Sequence, residues 1–180
     1  HNGSNRILSV LKFNMSSIRA NATITSATLI LRMNSGSGTT THTLSVYPLL
    51  KNWVESAVTW NRYISTTNWQ TGGADGATDR ETTSIGSRSF VSGETAGFKA
   101  VPLDLAAIQS YVNGTRTNNG WLLKMDVESG FLKEFASSDS TTAANRPQLV
   151  VEYTLPEEEP DWVNKEYAYE DEDHIHAVTS

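Results

Sequence analysis

Three carboxylates, Asp75, Asp79 and Glu81, lie close together in a polar, glycine-bearing stretch, and four more run consecutively from Glu170 to Asp173. Carboxylate oxygens are the donors that Ca²⁺ takes. Neither group has EF-hand spacing, and runs of like charge are ordinarily solvated. For Asp75, Asp79 and Glu81, as for Asp171 and Asp173, two readings therefore stand side by side: a calcium site and plain solvated charge. His174 and His176 are two apart, on one face if that segment is a strand, but two histidines without a third neighbour make a weak metal site. Trp69, with Arg62 and Tyr63 nearby, joins an aromatic face to planar polar groups, the chemistry of sugar recognition. Its alternative role is to anchor its own loop. Trp53 and Trp60 are expected to pack into the framework.

Catalytic chemistry finds no foothold, and a non-enzyme is expected. The Gly-x-Ser-x-Gly, His-Glu-x-x-His and phosphate-loop patterns are all missing from the sequence. Asp126 and Glu128 share a strand face by spacing, yet a glycosidase needs acids on either side of a scissile bond, not neighbours on one strand. A net charge of −6 and the lack of a basic stripe disfavour nucleic acid. The chain has no cysteine, so neither a disulfide framework nor a thiolate site exists. No apolar run reaches the length of a membrane span. A secretory leader is not recognisable, as in a processed chain. Four Asn-x-Ser/Thr sequons, at Asn2, Asn14, Asn21 and Asn113, tilt the expectation toward an extracellular or cell-surface protein.

These groups must be carried by β-structure. Apolar stretches of strand length recur between turn residues: Ile7 to Phe13, Ile24 to Met33, Thr43 to Leu50, Ser89 to Val91, Phe98 to Leu103, Gly120 to Val127, Phe131 to Ala136 and Gln148 to Tyr153. Pro48 belongs at an edge or a strand end. Asn34 to Gly38 reads as a loop, Lys51 to Asn61 as partly irregular, and Ser65 to Arg88 as a loop too long for mere connection. A single helix is predicted over Leu105 to Val112, N-capped by Asp104 and stopped by Asn113-Gly114, with Leu105, Ile108 and Val112 sharing a face. The pattern predicts an all-β protein, a jelly-roll type β-sandwich with one short helix and a C-terminal strand-forming extension.

That extension is the oddest part of the chain. Residues Pro156 to Ser180 hold nine acids and one base, a net of −8, whereas residues 1–155 carry +2. Trp162, Val163, Tyr167, Tyr169, Ile175 and Val178 are interleaved with the acids, which a purely disordered tail has little use for. The predicted organisation is a sandwich over 1–155, a Pro/Glu linker over 156–160 and a strand-forming tail over 161–180.

The ordered set Asn5-Arg6-Ile7-Leu8, Lys12-Phe13, Ala22 to Leu29, Trp53-Val54-Glu55-Ser56-Ala57-Val58-Thr59-Trp60-Asn61, Asn118-Asn119-Gly120-Trp121-Leu122, Ser137-Ser138-Asp139 and Arg146 to Tyr153 resembles the DNRLRE family. These are extracellular β-sandwich modules related to carbohydrate-binding modules and to archaeal disaggregatase-type repeats. The resemblance spans about residues 5 to 153. It implies opening strands before the Arg6-Ile7-Leu8 segment, and these are not found between His1 and Asn5. Asp161-Trp162-Val163 resembles such an opening strand, and His174 to Ser180 would serve as the next.

The expectation that follows is a head-to-tail homo-oligomer, a filament or surface layer built by strand addition. Asp161, Trp162, Val163, Tyr167, Tyr169, Ile175, Ala177 and Val178 would form the donor, and Arg6, Ile7, Leu8, Val10, Leu11 and Phe13 would border the acceptor groove. The tail could act on its own domain or on a neighbour's, and the neighbour is preferred. Alternatives are a carbohydrate-binding module recognising a polysaccharide through Trp69, Arg62 and Tyr63, and one repeat of a tandem-repeat surface adhesin.

Overall fold

The computed structural model describes residues 9–127 and 132–157. It is an antiparallel β-sandwich with one α-helix. The strands are β1 (Ser9–Leu11), β2 (Thr23–Ser37), β3 (His42–Pro48), β4 (Arg62–Ile64), β5 (Thr67–Asn68), β6 (Gly86–Phe90), β7 (Gly97–Pro102), β8 (Trp121–Met125), β9 (Leu132–Phe135) and β10 (Gln148–Thr154). Helix α1 spans Leu105–Val112, between β7 and β8.

One sheet has the order β1-β8-β3-β6 and the other β10-β2-β7. Strand β9 joins the second sheet beyond β10: Met33 pairs with Gly97 on one side of β2 and with Phe135 on the other. The chain crosses between sheets from β1 to β2, β2 to β3, β6 to β7, β7 to β8 and β8 to β9, the alternation of a jelly-roll type sandwich.

Period-2 alternation builds the core. Along β2, Ala27, Leu29, Leu31 and Met33 are buried while Thr28, Ile30 and Arg32 face outward. They meet Val101 of β7 and, from the facing sheet, Leu44, Val46, Trp121 and Leu123. Trp121 is 1 % exposed, and its indole N–H donates to the Tyr111 hydroxyl at 3.2 Å.

The predicted helix cap forms: Asp104 accepts from the Ala107 N–H at 2.7 Å. The buried face differs from the expected one. Ala107, Ile108, Tyr111 and Val112 are buried, whereas Leu105, in the first turn beside the cap, is 41 % exposed. Gln109 uses its side-chain amide as a surrogate strand, accepting from the Ile24 N–H at 3.0 Å and donating to the Ala22 carbonyl at 2.9 Å. The start of β2, paired with β10 on one side, is thereby satisfied on the side that β7 does not reach.

Two further differences concern the loops. Strand β2 continues through the predicted loop at Asn34 because β9 supplies partners as far as Ser37. The long polar stretch holds the small hairpin β4–β5 and then β6, which starts at Gly86. Pro48 ends β3, as its missing N–H requires.

Candidate functional site

The two sides of the sandwich are finished differently. On one side β6 and β7 are joined by a short turn, and a bridge between Gly86 and Leu103 ties the sheets together. Glu94 reaches in from that turn to contact both Arg88 and Lys99 at 2.7 Å. Burial pushes the Glu94 carboxyl up, but the hydrogen bond from Lys99 and the charges of Arg88 and Lys99 outweigh it and hold the group below the usual carboxylate range.

The opposite side is open. Strand β1 pairs only with β8, and β10 only with β2, so among the described residues the outer edge of each carries no strand. Beside β1, and against the Arg146-Pro147 segment that leads into β10, lies a cleft of about 660 Å³. Val10, Leu11, Phe13, Trp53 and Pro147 supply its apolar walls, and Lys12, Glu55 and Arg146 its charges. Leu11 and Phe13, in the cleft, and Leu149 and Val151 of β10, outside its lining, pack on the core yet stay only partly buried. Val150, Tyr153 and Leu155, along and just beyond β10, are 47 %, 41 % and 45 % exposed. An unpaired strand edge beside partly buried apolar side chains is the arrangement that accepts an added strand.

The cleft's rigidity has local causes. Asn118 donates to the Phe13 carbonyl at 2.8 Å, and the Trp53 indole donates to the Asn119 carbonyl at 2.9 Å. Gly120, between this turn and β8, has φ +82°, and a Cβ there would lie 2.4 Å from the Leu11 carbonyl oxygen. Only glycine lets the two segments approach so closely.

Of the predicted acceptor residues, Val10, Leu11 and Phe13 line the cleft. Arg6, Ile7 and Leu8 lie outside the described residues, as do the predicted donors Asp161, Trp162, Val163, Tyr167, Tyr169, Ile175, Ala177 and Val178. Trp53, Glu55, Asn118, Ser138, Arg146 and Pro147 are cleft residues that the sequence reading did not assign to it. The available signal was positional: Arg146-Pro147 immediately precedes β10, and Asn118 immediately precedes the turn into β8.

A lobe over residues 49–80 covers the apolar half of the other face of the β1-β8-β3-β6 sheet. Leu49, Trp69, Ala74 and Leu122 form its centre, flanked by Val10, Tyr47, Trp53, Val58 and Tyr63. Of the two roles open to Trp69, it takes the loop anchor and not the open sugar platform. It is 5 % exposed, its indole donates to the Thr59 carbonyl at 3.1 Å, and its ring lies 5.3 Å from that of Tyr63. Arg62 donates to the Ser65 carbonyl instead of framing an aromatic face. Trp60, expected to be packed, is 37 % exposed against Gly72, where a Cβ would come within 2.4 Å of the indole nitrogen.

The three loop carboxylates do not converge on a cation. Asp79 is fully buried and accepts from the backbone N–H groups of Gln70, Thr71 and Gly76 at 2.8, 3.0 and 3.1 Å. Asp75 holds Arg80 at 2.6 Å and Lys124 at 2.5 Å, tying the lobe to β8. Burial raises the Asp75 carboxyl, but hydrogen bonds from Lys124 and Arg80 and their charges bring it below its ordinary value. Glu81 faces Arg116 at 3.3 Å. Among the described residues no group of three or more His, Asp or Glu side chains could hold a metal ion. Asp171 and Asp173, with His174 and His176, lie outside them. No helix among the described residues is long and apolar enough to cross a membrane.

No curated protein matches the chain. A family model described as the disaggregatase related repeat domain matches residues 1–151, which takes in the sandwich, the cleft and all but the end of β10. The match falls on the disaggregatase side of the expected resemblance and not on the DNRLRE name itself. The chain belongs to the disaggregatase related repeat domain family.

Proposed function

We propose that this domain is a non-catalytic structural repeat of an extracellular or cell-surface protein, joined head to tail with its neighbours by strand addition. The cleft beside β1 is the acceptor. The donor is the acidic, aromatic segment 161–180 of the adjacent copy, whether a separate subunit or the next repeat of a longer chain.

One observation carries the reading: the sandwich is bridged at β6–β7, while among the described residues the outer edges of β1 and β10 are unpaired and apolar side chains on or beside both strands are only partly buried. Strand addition would satisfy an unpaired edge while covering Leu11 and Phe13, each full burial contributing up to about 1.5–3 kcal/mol. Charge supports the same partner. Lys12 and Arg146 stand at the cleft, and the segment from Pro156 onward carries −8. The contact is heterologous, so its repetition need not close and can extend a line.

Deleting residues 157–180 tests it. The truncated protein should lose self-association, aggregate more readily through its uncovered cleft, and recover solubility when a peptide of residues 158–180 is added. A truncated chain as stable and as monodisperse as the full one, and indifferent to the peptide, would refute the proposal.

A further inference from the structure

Of the sequons in the described residues, the structure assigns Asn113 as the acceptor of an N-linked glycan and excludes Asn14 and Asn21 in the folded protein. This goes beyond the strand-addition reading and shares with it only the extracellular location.

The three sites differ in their middle residue. Asn113, Gly114 and Thr115 are all exposed, on the turn that ends α1, and a Cβ built on Gly114 would meet nothing within 4 Å. In Asn21-Ala22-Thr23, Ala22 is 2 % exposed. Its N–H donates to Arg19 and its carbonyl accepts from Gln109, both at 2.9 Å. In Asn14-Met15-Ser16, Met15 is 7 % exposed within the main core, and its carbonyl accepts from the Ile18 N–H at 3.1 Å. An enzyme must grip the asparagine amide and the hydroxyl two residues on together, which requires the intervening peptide to be drawn into its site. The Gly114 N–H is bonded too, to the Tyr111 carbonyl at 3.3 Å, so the difference is burial: an exposed turn can be drawn out and a buried middle residue cannot.

Asn14 closes a similar turn, its Oδ1 accepting from the Ser16 N–H at 2.9 Å, but among the described residues only the Asn113 side chain also engages its sequon hydroxyl. Its Oδ1 accepts from the Thr115 N–H at 3.1 Å and from the Thr115 hydroxyl at 2.8 Å. The hydroxyl also lies 3.3 Å from the Ser110 carbonyl. Among the described residues no acceptor engages the Asn113 amide nitrogen. With a lipid-linked oligosaccharide diphosphate as co-substrate, Nδ2 forms a bond to the anomeric carbon. The bond from that carbon to the phosphate oxygen breaks, the lipid diphosphate leaves with the electron pair, and Nδ2 gives up one proton. Modification at Asn14 would set a glycan on the lip of the cleft, which Asn14 lines, whereas Asn113 is not among the residues lining it.

The test is transfer to the folded, full-length chain by an oligosaccharyltransferase supplied with lipid-linked oligosaccharide, read by intact mass and peptide mapping. The expected result is glycan at Asn113 with Asn14 and Asn21 bare, abolished by Asn113→Gln and by Thr115→Ala and retained by Thr115→Ser. A thermal melt of each variant checks that loss of transfer is not loss of fold. Transfer at Asn14 or Asn21 with Asn113 bare would overturn the assignment. So would a folded chain that refuses glycan at Asn113 while the urea-unfolded chain accepts it there.

Discussion

The ring of Phe13 lies 5.5 Å from that of Trp121, tilted by 46°, so one wall of the cleft is continuous with the centre of the core. Anything that fills the cleft therefore packs, through Phe13, on a side chain that is 1 % exposed.

Phe13→Ala should destabilise the domain by about 2–4 kcal/mol, the lower part of the range for aromatic truncation in a core because Phe13 is only partly buried. Binding of the 158–180 peptide should weaken in the same variant. Urea unfolding followed by fluorescence titration separates the two effects.

The Asp79 carboxylate organises the lobe, and Asp79→Ala strands three backbone N–H groups in a buried site. A loss of about 2–4 kcal/mol is expected, since hydrogen bonds to a charged acceptor contribute about 1.5–3 kcal/mol each and water replaces only part of them. Trp69 reports the change directly: its emission should shift to the red and become quenchable by iodide. Added Ca²⁺ should move neither signal in the parent chain if Asp79 serves as a backbone latch.

Stability should fall in acid through Glu94 and Asp75. Both carboxyls are held below their ordinary values of 4.5 and 3.8, so in the acid range the unfolded chain binds more protons than the folded one. Their contribution is complete above those values and is lost as the pH drops through the lower, folded-state values. Glu94→Gln should accordingly be less stable than the parent at pH 7 and approach it at low pH, as followed by urea midpoints across the series.

Salt should weaken self-association. Lys12 and Arg146 line the cleft, and the donor proposed for it belongs to the −8 tail, so raising ionic strength from low to physiological should lower the affinity. Lys12→Glu or Arg146→Glu should lower it further and flatten the salt dependence. Sedimentation at several salt concentrations reads both.

Much of the fold is legible in the sequence because period-2 patterning and turn residues act locally. Leu29, Leu31 and Met33 announce the inner face of β2, and Asp104 and Asn113-Gly114 bracket the helix. Three features escape local reading. Leu105 sits in the first turn of α1, where its exposure depends on how the helix docks. The extension of β2 to Ser37 depends on β9, almost a hundred residues away. Trp69 is buried and Trp60 partly exposed, a division that local pattern leaves open because it depends on how the lobe folds over β8, where Asp75 pairs with Lys124. Val10, Leu11 and Phe13, three of the residues lining the cleft, stand together in one strand-like run of the sequence. Arg146 and Pro147 come together with them only when the two sheets face each other.

The central claim is that the tail of one copy occupies the cleft of another. Because the chain has no native cysteine, single-cysteine variants make an unambiguous pair of probes. Asn14→Cys, at the cleft, and Tyr169→Cys or Ala177→Cys, in the tail, are mixed as separate chains and treated with a short bismaleimide. The account predicts a crosslinked heterodimer that is lost on adding excess 158–180 peptide. No heterodimer from mixed chains, with efficient crosslinking inside a single chain that carries both cysteines, would contradict it.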